Sequence, residues 1–220
     1  MMTPKPQAPA NGLPPVKNII FDLGQVILNV NWRLTYEAFQ ELGIRRIDRI
    51  FDKLHQQDVF SNLQTGKLDS RRFIRYLLQY LPNGATEQQV VDAWNAMLLD
   101  YPRKRLHLIH ELSREFRTFL LSNTNKIHWE RYHPQYLQIL EEENLPPLFE
   151  KEYYSHEIGL AKPDTAIYKL VLNEQNLQAG ETLFLDDKPE NLEAAEQLNI
   201  HTQLVSAQNE LLDIFQKAAD

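Results

Sequence analysis

Three short, largely apolar runs in this chain each stop on oxygen-bearing side chains. Lys17–Phe21 stops on Asp22, Phe116–Leu121 on Ser122-Asn123, and Thr182–Leu185 on Asp186-Asp187. Runs of this length and character, bounded by polar residues, read as strands buried on both faces of a parallel sheet. Between the second and third runs the spacing turns helical over Pro163–Asn173, and a further helix over Arg103–Arg114 leads into the second. Strands alternating with helices predict an α/β fold with a Rossmann-like parallel sheet and right-handed crossovers. Ligands of such sheets bind beyond the carboxyl ends of the strands. The residues that terminate the runs are therefore the first to read for chemistry.

The alternation is interrupted once, directly after the first strand. From Asn31 to Asp100 the apolar residues fall at helical spacing: Trp32, Tyr36, Phe39 and Leu42; Phe73, Leu77 and Leu78 with Tyr80; Val90, Val91, Trp94 and Met97. Asp69 and Thr86 stand where N-caps belong, and Pro82-Asn83-Gly84 is a break. This predicts an inserted all-helical cap over residues 31–100, a core built from 16–30 and 101–220, and a flexible tail over 1–15, rich in Pro, Ala and Gln. Further along, a polar helical segment runs to about Glu143 with Pro134 expected to break it. Tyr153-Tyr154-Ser155 reads as a short strand, Asn191–Leu198 as a helix, His201–Val205 as the last strand, and Glu210–Ala218 as a terminal helix.

Composition narrows the function classes. The 220-residue chain carries a formal charge of −7. That disfavours nucleic acid and anionic membrane surfaces, which are held by clustered Lys and Arg. It leaves room for a small phosphorylated ligand at one local site. Without cysteine there is no disulfide, thiolate metal site or thiol nucleophile. No apolar run approaches the roughly 18 residues of a membrane span, and the first residues lack the apolar stretch of a signal peptide. The expectation is a cytoplasmic protein.

Taken singly, the terminating residues have ordinary explanations. An Asp at a strand end makes Asx-turns, Ser-Asn-Thr-Asn caps helices, and Lys162-Pro163 suits the start of one. Asp186-Asp187 is harder to explain away. Adjacent carboxylates at the end of an apolar strand repel unless a lysine or a hard cation compensates. Mg²⁺ is a natural partner, since it takes one or two protein carboxylates plus waters and phosphate.

In order, strand-Asp22-Leu-Gly-Gln-Val, strand-Leu-Ser122-Asn123, Lys162-Pro163 and strand-Asp186-Asp187 resemble the four motifs of the haloacid dehalogenase-like (HAD) superfamily. The separations from Asp22 to Ser122, to Lys162, to Asp187 are 100, 40 and 25 residues, as in members with a helical cap between the first two motifs. "LSNTN", "GLAKPDTAIY" and "FLDDKPEN" are most similar to the subgroup of bacterial glucose-1-phosphate phosphatases and the phosphatase domain of soluble epoxide hydrolase.

The resemblance implies a Mg²⁺-dependent phosphatase acting on a small phosphorylated metabolite, with a sugar phosphate as one case. Asp22 would be the nucleophile that forms an aspartyl-phosphate. Ser122 and Asn123 would bind the phosphoryl oxygens, and Lys162 would offset charge. Asp22, the Gly24 carbonyl, Asp187 and Asp186 would surround the metal, with Asp187 ahead of Asp186 as direct ligand. Asn191 stands where relatives carry an acid that holds a metal-bound water. Gly24 departs from the pattern, because most phosphatases of the superfamily have there the Asp that protonates the leaving group. Such acid–base catalysis is worth roughly 10²–10⁴-fold. Two other readings remain: a dehalogenase, which needs neither that acid nor a metal, and a binding module with little turnover. His128, Trp129, His133 and His156 read as ordinary side chains outside the site.

Overall fold

Asn18–Phe21 form β1, all four residues of which are buried. In the computed structural model of the chain, which describes residues 12–208 and 210–216, β1 is the middle strand of a sheet. Its companions are β2 (Arg117–Ser122), β3 (Lys151–Tyr154), β4 (Thr182–Asp186) and β5 (His201–Leu204). The order is β3-β2-β1-β4-β5 and every pairing is parallel. Phe21 lies in register with Leu120 on one side and Leu185 on the other. Asp22, Ser122 and Asp186 therefore reach the carboxyl edge together, where the chain crosses from one half of the sheet to the other.

Five helices follow β1 before the chain returns to the sheet: α1 (Trp32–Glu41), α2 (Ile47–Gln56), α3 (Val59–Gln64), α4 (Ser70–Leu78) and α5 (Glu87–Asn95). Asp69 accepts from Arg72 N at 2.9 Å, and Thr86 makes a capping box with Gln89. Phe39, Phe51, Phe73 and Trp94 centre a hydrophobic cluster of their own. The two connections to this cap pair with each other. Asn29 N donates to Asp100 O, Leu99 N to Asn29 O, and Asn31 N to Met97 O.

The remaining helices flank the sheet: α6 (Arg103–Ser113), α7 (Lys126–Glu142), α8 (Ser155–Ile158), α9 (Thr165–Glu174), α10 (Pro189–Glu196) and α11 (Leu211–Gln216). Strand alternation sends Ile19 and Phe21 into one face and Ile20 into the other. The first face packs Leu106, Ile109, Tyr132, Tyr136 and Ile214; the second packs Ile167, Tyr168, Val171 and Ala195. Contacts between cap and core among the described residues include those with α7 and with the start of α8. Ile127 of α7 joins the cap's own cluster. Gly66, at φ +69, lies so close to the His156 backbone that a Cβ there would overlap its carbonyl oxygen.

Pro134 does not break α7. The missing N–H costs the helix about 3 kcal/mol. Against that stand buried Tyr132, Tyr136 and Leu140 on the same helix, each worth roughly 1.5–3 kcal/mol. Pro134 and Glu130, whose carbonyl loses its partner, are both exposed. Ser155 opens α8 rather than closing β3, which starts two residues earlier than its aromatic residues indicate. Helix α9 starts at Thr165 on an Asp164 cap, so Pro163 precedes the helix instead of forming its first residue. Residues 1–11 of the expected tail, and Lys217 and Ala218 of the expected last helix, lie outside the described residues. Among the described residues no helix is long and apolar enough to cross a membrane.

Candidate active site

Lys162 is the centre of the site. Its side chain is buried, and its Nζ donates to Asp22 Oδ1 at 2.6 Å, to Asp186 Oδ2 at 2.6 Å and to Leu121 O at 2.8 Å. Three acceptors use the ammonium's three protons, and the Phe184 ring lies 5.2 Å away. Burial alone would pull this lysine down, but the two carboxylates more than reverse that and hold it above its ordinary value.

Asn123 fixes the same residue from its backbone. Its Nδ2 donates to Lys162 O at 2.8 Å and its Oδ1 accepts from Lys162 N at 2.9 Å. The side chain expected to meet substrate is thus engaged in holding the lysine. Ser122, one residue earlier, ends β2 buried at the cavity floor.

The two adjacent aspartates differ in what they have left to offer. Asp186 is fully buried, with Oδ2 on Lys162 and Oδ1 accepting from Lys188 N and Asn191 Nδ2, both at 2.9 Å. Asp187 takes part in none of these bonds and is half-buried at the cavity. Asn191 is itself buried, and its carbonyl accepts from Tyr168 OH at 2.8 Å. In this geometry it orients Asp186.

Asp22, Asp186 and Asp187 each bring an oxygen within 4.8 Å of the others. Three carboxylates against one lysine leave a surplus of negative charge in a buried place. Burial first, and then Asp186 and Asp187, push the Asp22 carboxyl up to about 7 even though Lys162 pulls it down. Asp187 is raised as well, chiefly by burial and by Asp186. A divalent cation held by oxygen ligands would relieve this surplus, so the donor set fits Mg²⁺.

After Asp22 the chain makes a tight turn. Gln25 N donates to Leu28 O, and Ile27 N and Leu28 N both donate to Leu23 O, which leaves the Gly24 carbonyl out of the turn's bonding. Gln25, at φ +62, returns its side-chain amide to Val30, with Nε2 2.7 Å from Val30 O. Gly24 has no positive φ. A Cβ built there would sit 3.8 Å from both Asp22 Oδ2 and Val30 Cγ2, an ordinary contact. The position has room for a side chain, and its backbone does not demand glycine.

A cavity of about 550 Å³ lies between this edge and the cap. Asp22, Gly24, Ser122, Lys162 and Asp187 border it from the core. Trp32, His55 and Gln64 border it from the cap, whereas Arg33 turns to Glu37 at 2.6 Å. Trp94, His128 and Tyr132 are also in the wall. The sequence places His128 outside the site, but it is buried, and burial pulls its ring down to about 3. Its place six residues after Ser122, on the helix that leaves the site, was the available signal. His133 instead stacks on Trp129 at 4.5 Å, apart from the cavity.

The haloacid dehalogenase-like hydrolase family model matches residues 16–199. D-ribitol-5-phosphate phosphatase of Bacteroides thetaiotaomicron is 30% identical over 189 residues, 85% of this chain and 90% of that protein. A HAD family enzyme from the same organism, solved in complex with magnesium and inorganic phosphate, superposes with a TM-score of 0.79 at 30% identity. The match covers 91% of this chain and 99% of that one. Bifunctional epoxide hydrolase 2 of Sus scrofa is 25% identical over 204 residues, 84% of this chain and 36% of that protein.

Proposed function

The chain belongs to the haloacid dehalogenase-like hydrolase family, and on that footing we propose that it is a Mg²⁺-dependent phosphomonoesterase with Asp22 as its nucleophile. The observation that carries this reading is the division of labour around Lys162. Asp22 and Asp186 share its ammonium, while Asp187 stays uncommitted beside the cavity. We take residues 31–100 as the cap over a core of 16–30 and 101–220.

Asp22, the Gly24 carbonyl and Asp187 would hold the metal, with Asp186 holding Lys162 in place. When bound, Mg²⁺ supplies positive charge that lets a carboxylate approach a phosphate dianion. Lys162 favours the ionised form of Asp22 against its burial and orients it. An Asp22 oxygen attacks phosphorus, the bond from phosphorus to the leaving oxygen breaks, and an aspartyl-phosphate forms. Ser122 donates its hydroxyl to a phosphoryl oxygen. Water then attacks phosphorus, releases inorganic phosphate and returns Asp22. Asn123 serves by fixing Lys162.

Gly24 supplies no proton to the leaving oxygen, which forgoes about 3–5 kcal/mol of barrier lowering. Leaving groups that depart with little protonation are favoured, sugar 1-phosphates and aryl phosphates among them. The relative that acts on D-ribitol 5-phosphate supports a sugar or polyol phosphate as the substrate class.

The test is Mg²⁺-dependent hydrolysis of phenyl phosphate, glucose 1-phosphate and D-ribitol 5-phosphate, with Asp22→Asn as control. Turnover lost on chelation and in Asp22→Asn supports the proposal. Binding without turnover of any of them, or chelator-insensitive halide release from 2-haloacids, would overturn it.

A further inference from the structure

Trp32, the first residue of α1, is 48% exposed, although Phe39, Phe51, Phe73 and Trp94 of the same cap are buried. Leu99, Leu137 and Leu204 are the other large hydrophobic side chains exposed among the described residues. Of these four, Trp32 is the one that borders the cavity holding Asp22. Tyr36 stands one helical turn further along the same face of α1 and borders the cavity too, as does Phe60 of α3, both of them half-buried. Several accessible rings on one wall of a cavity mark a surface for a ligand rather than a scattered exposed residue.

Buried rings hold this wall from behind. Trp94 meets the Trp32 ring edge-on at 6.4 Å and stacks on Phe60 at 5.7 Å with planes within 1°. It also stacks on His128 of α7 at 5.1 Å, and His128 Nδ1 lies 2.8 Å from Asn95 Oδ1, which ties the wall to the core. Phe51 meets Tyr36 at 4.9 Å and Phe60 at 5.3 Å. A wall packed this way is oriented before a ligand arrives, so little is lost in ordering it on binding.

Its place ties it to the leaving group. Val30 comes two residues before Trp32, and its Cγ2 lies 3.8 Å from where a Cβ on Gly24 would stand. The chain that carries the indole thus passes beside the position that lacks the leaving-group acid. An indole face takes the face or edge of another ring, or the C–H face of a pyranose. An open-chain polyol presents hydroxyls on every side and must give up several torsions to lie flat. Gly24 favours the same class independently, because the leaving groups that depart with little protonation, phenols and anomeric sugar oxygens, belong to rings.

We propose that Trp32, backed by Trp94, is the platform on which a cyclic leaving group stacks, so that the site selects ring phosphates, aryl or pyranosyl, over open-chain ones. This rests on the phosphatase reading and deepens it.

The experiment measures KM and kcat of wild type, Trp32→Ala and Trp32→Tyr on phenyl phosphate, glucose 1-phosphate and D-ribitol 5-phosphate with Mg²⁺. Each substrate is compared with itself across the variants, so differences in leaving-group acidity cancel. Trp32→Ala should raise KM for a ring phosphate about tenfold more than for the polyol, with kcat changed far less. Trp32→Tyr should recover most of the loss. The effect on phenyl phosphate alone supports the proposal and assigns an aryl group; on glucose 1-phosphate alone it assigns a pyranose. Equal changes on all three substrates reveal a merely structural role and overturn the proposal, as does no change on either ring. Calorimetric binding of the same phosphates to Asp22→Asn, with and without Trp32→Ala, reads the preference without turnover. Asp22-dependent hydrolysis with no Trp32-dependent ring preference defeats this inference alone. Trp32-dependent binding of ring phosphates that wild type never hydrolyses defeats the phosphatase reading alone.

Discussion

Lys162 Nζ lies 2.6 Å from Asp22 Oδ1, although 140 positions separate the two residues. The same ammonium compensates Asp186. Lys162→Met leaves two buried carboxylates without their cation, which costs about 3–5 kcal/mol. The urea midpoint should fall accordingly, and kcat by roughly 10²–10³-fold. An unchanged midpoint contradicts the assignment of Lys162 as the organising charge.

Gly24→Asp tests the missing acid directly. The position accepts a Cβ at van der Waals distance from Asp22 Oδ2, so the variant should fold like wild type. A carboxyl there can protonate the leaving oxygen, so kcat on an alkyl phosphate should rise about tenfold or more, with a smaller gain on an aryl phosphate. Equal gains on both, or none on either, contradict the view that leaving-group protonation is what Gly24 lacks.

Asn123→Ala removes both amide bonds to the Lys162 backbone. Stability should drop by roughly 1–3 kcal/mol, since each bond is worth about 1 kcal/mol. With Lys162 less well held, kcat should fall while KM changes little. A rise in KM alone would assign Asn123 to substrate binding instead.

Without metal, Asp22 sits at about 7 against an ordinary 3.8. The folded state therefore keeps a proton that the unfolded chain releases. Stability from this group is complete below about pH 4 and is lost as pH rises through 7. Asp187, also raised, acts in the same direction. The Tm difference between wild type and Asp22→Asn should shift against wild type from pH 5 to pH 8. Mg²⁺ should restore wild type far more at pH 8 than at pH 5, where protons compete for the same oxygens. A cation effect equal at both values contradicts carboxylate ligation.

Most of the sheet was legible because β1, β2 and β4 are apolar runs cut off by polar residues, a pattern burial on both faces imposes. Pro134 misled because a local cost was read without the tertiary packing of Tyr132, Tyr136 and Leu140 that exceeds it. At the site, Asp22, Lys162, Asp186 and Asp187 stood out because their ordered motifs resemble those of a known superfamily, the aspartate pair also by its charge. Asn123 clamping Lys162, Asn191 bonding Asp186, and His128 stacked on Trp94 did not, since each depends on how separate segments dock. Asn95 and His128 are 33 residues apart on helices of different subdomains, and no periodicity along either helix encodes their meeting.

On the proposed mechanism Asp22 carries the phosphoryl group between the two steps. An acid quench of the first turnover on an aryl phosphate, followed by peptide mass spectrometry, tests it most directly. The expected result is a phosphorylated peptide containing Asp22, formed at the rate of phenol release and absent from Asp22→Asn. Sustained turnover with no phosphoryl on Asp22, or full activity in Asp22→Asn, would contradict it.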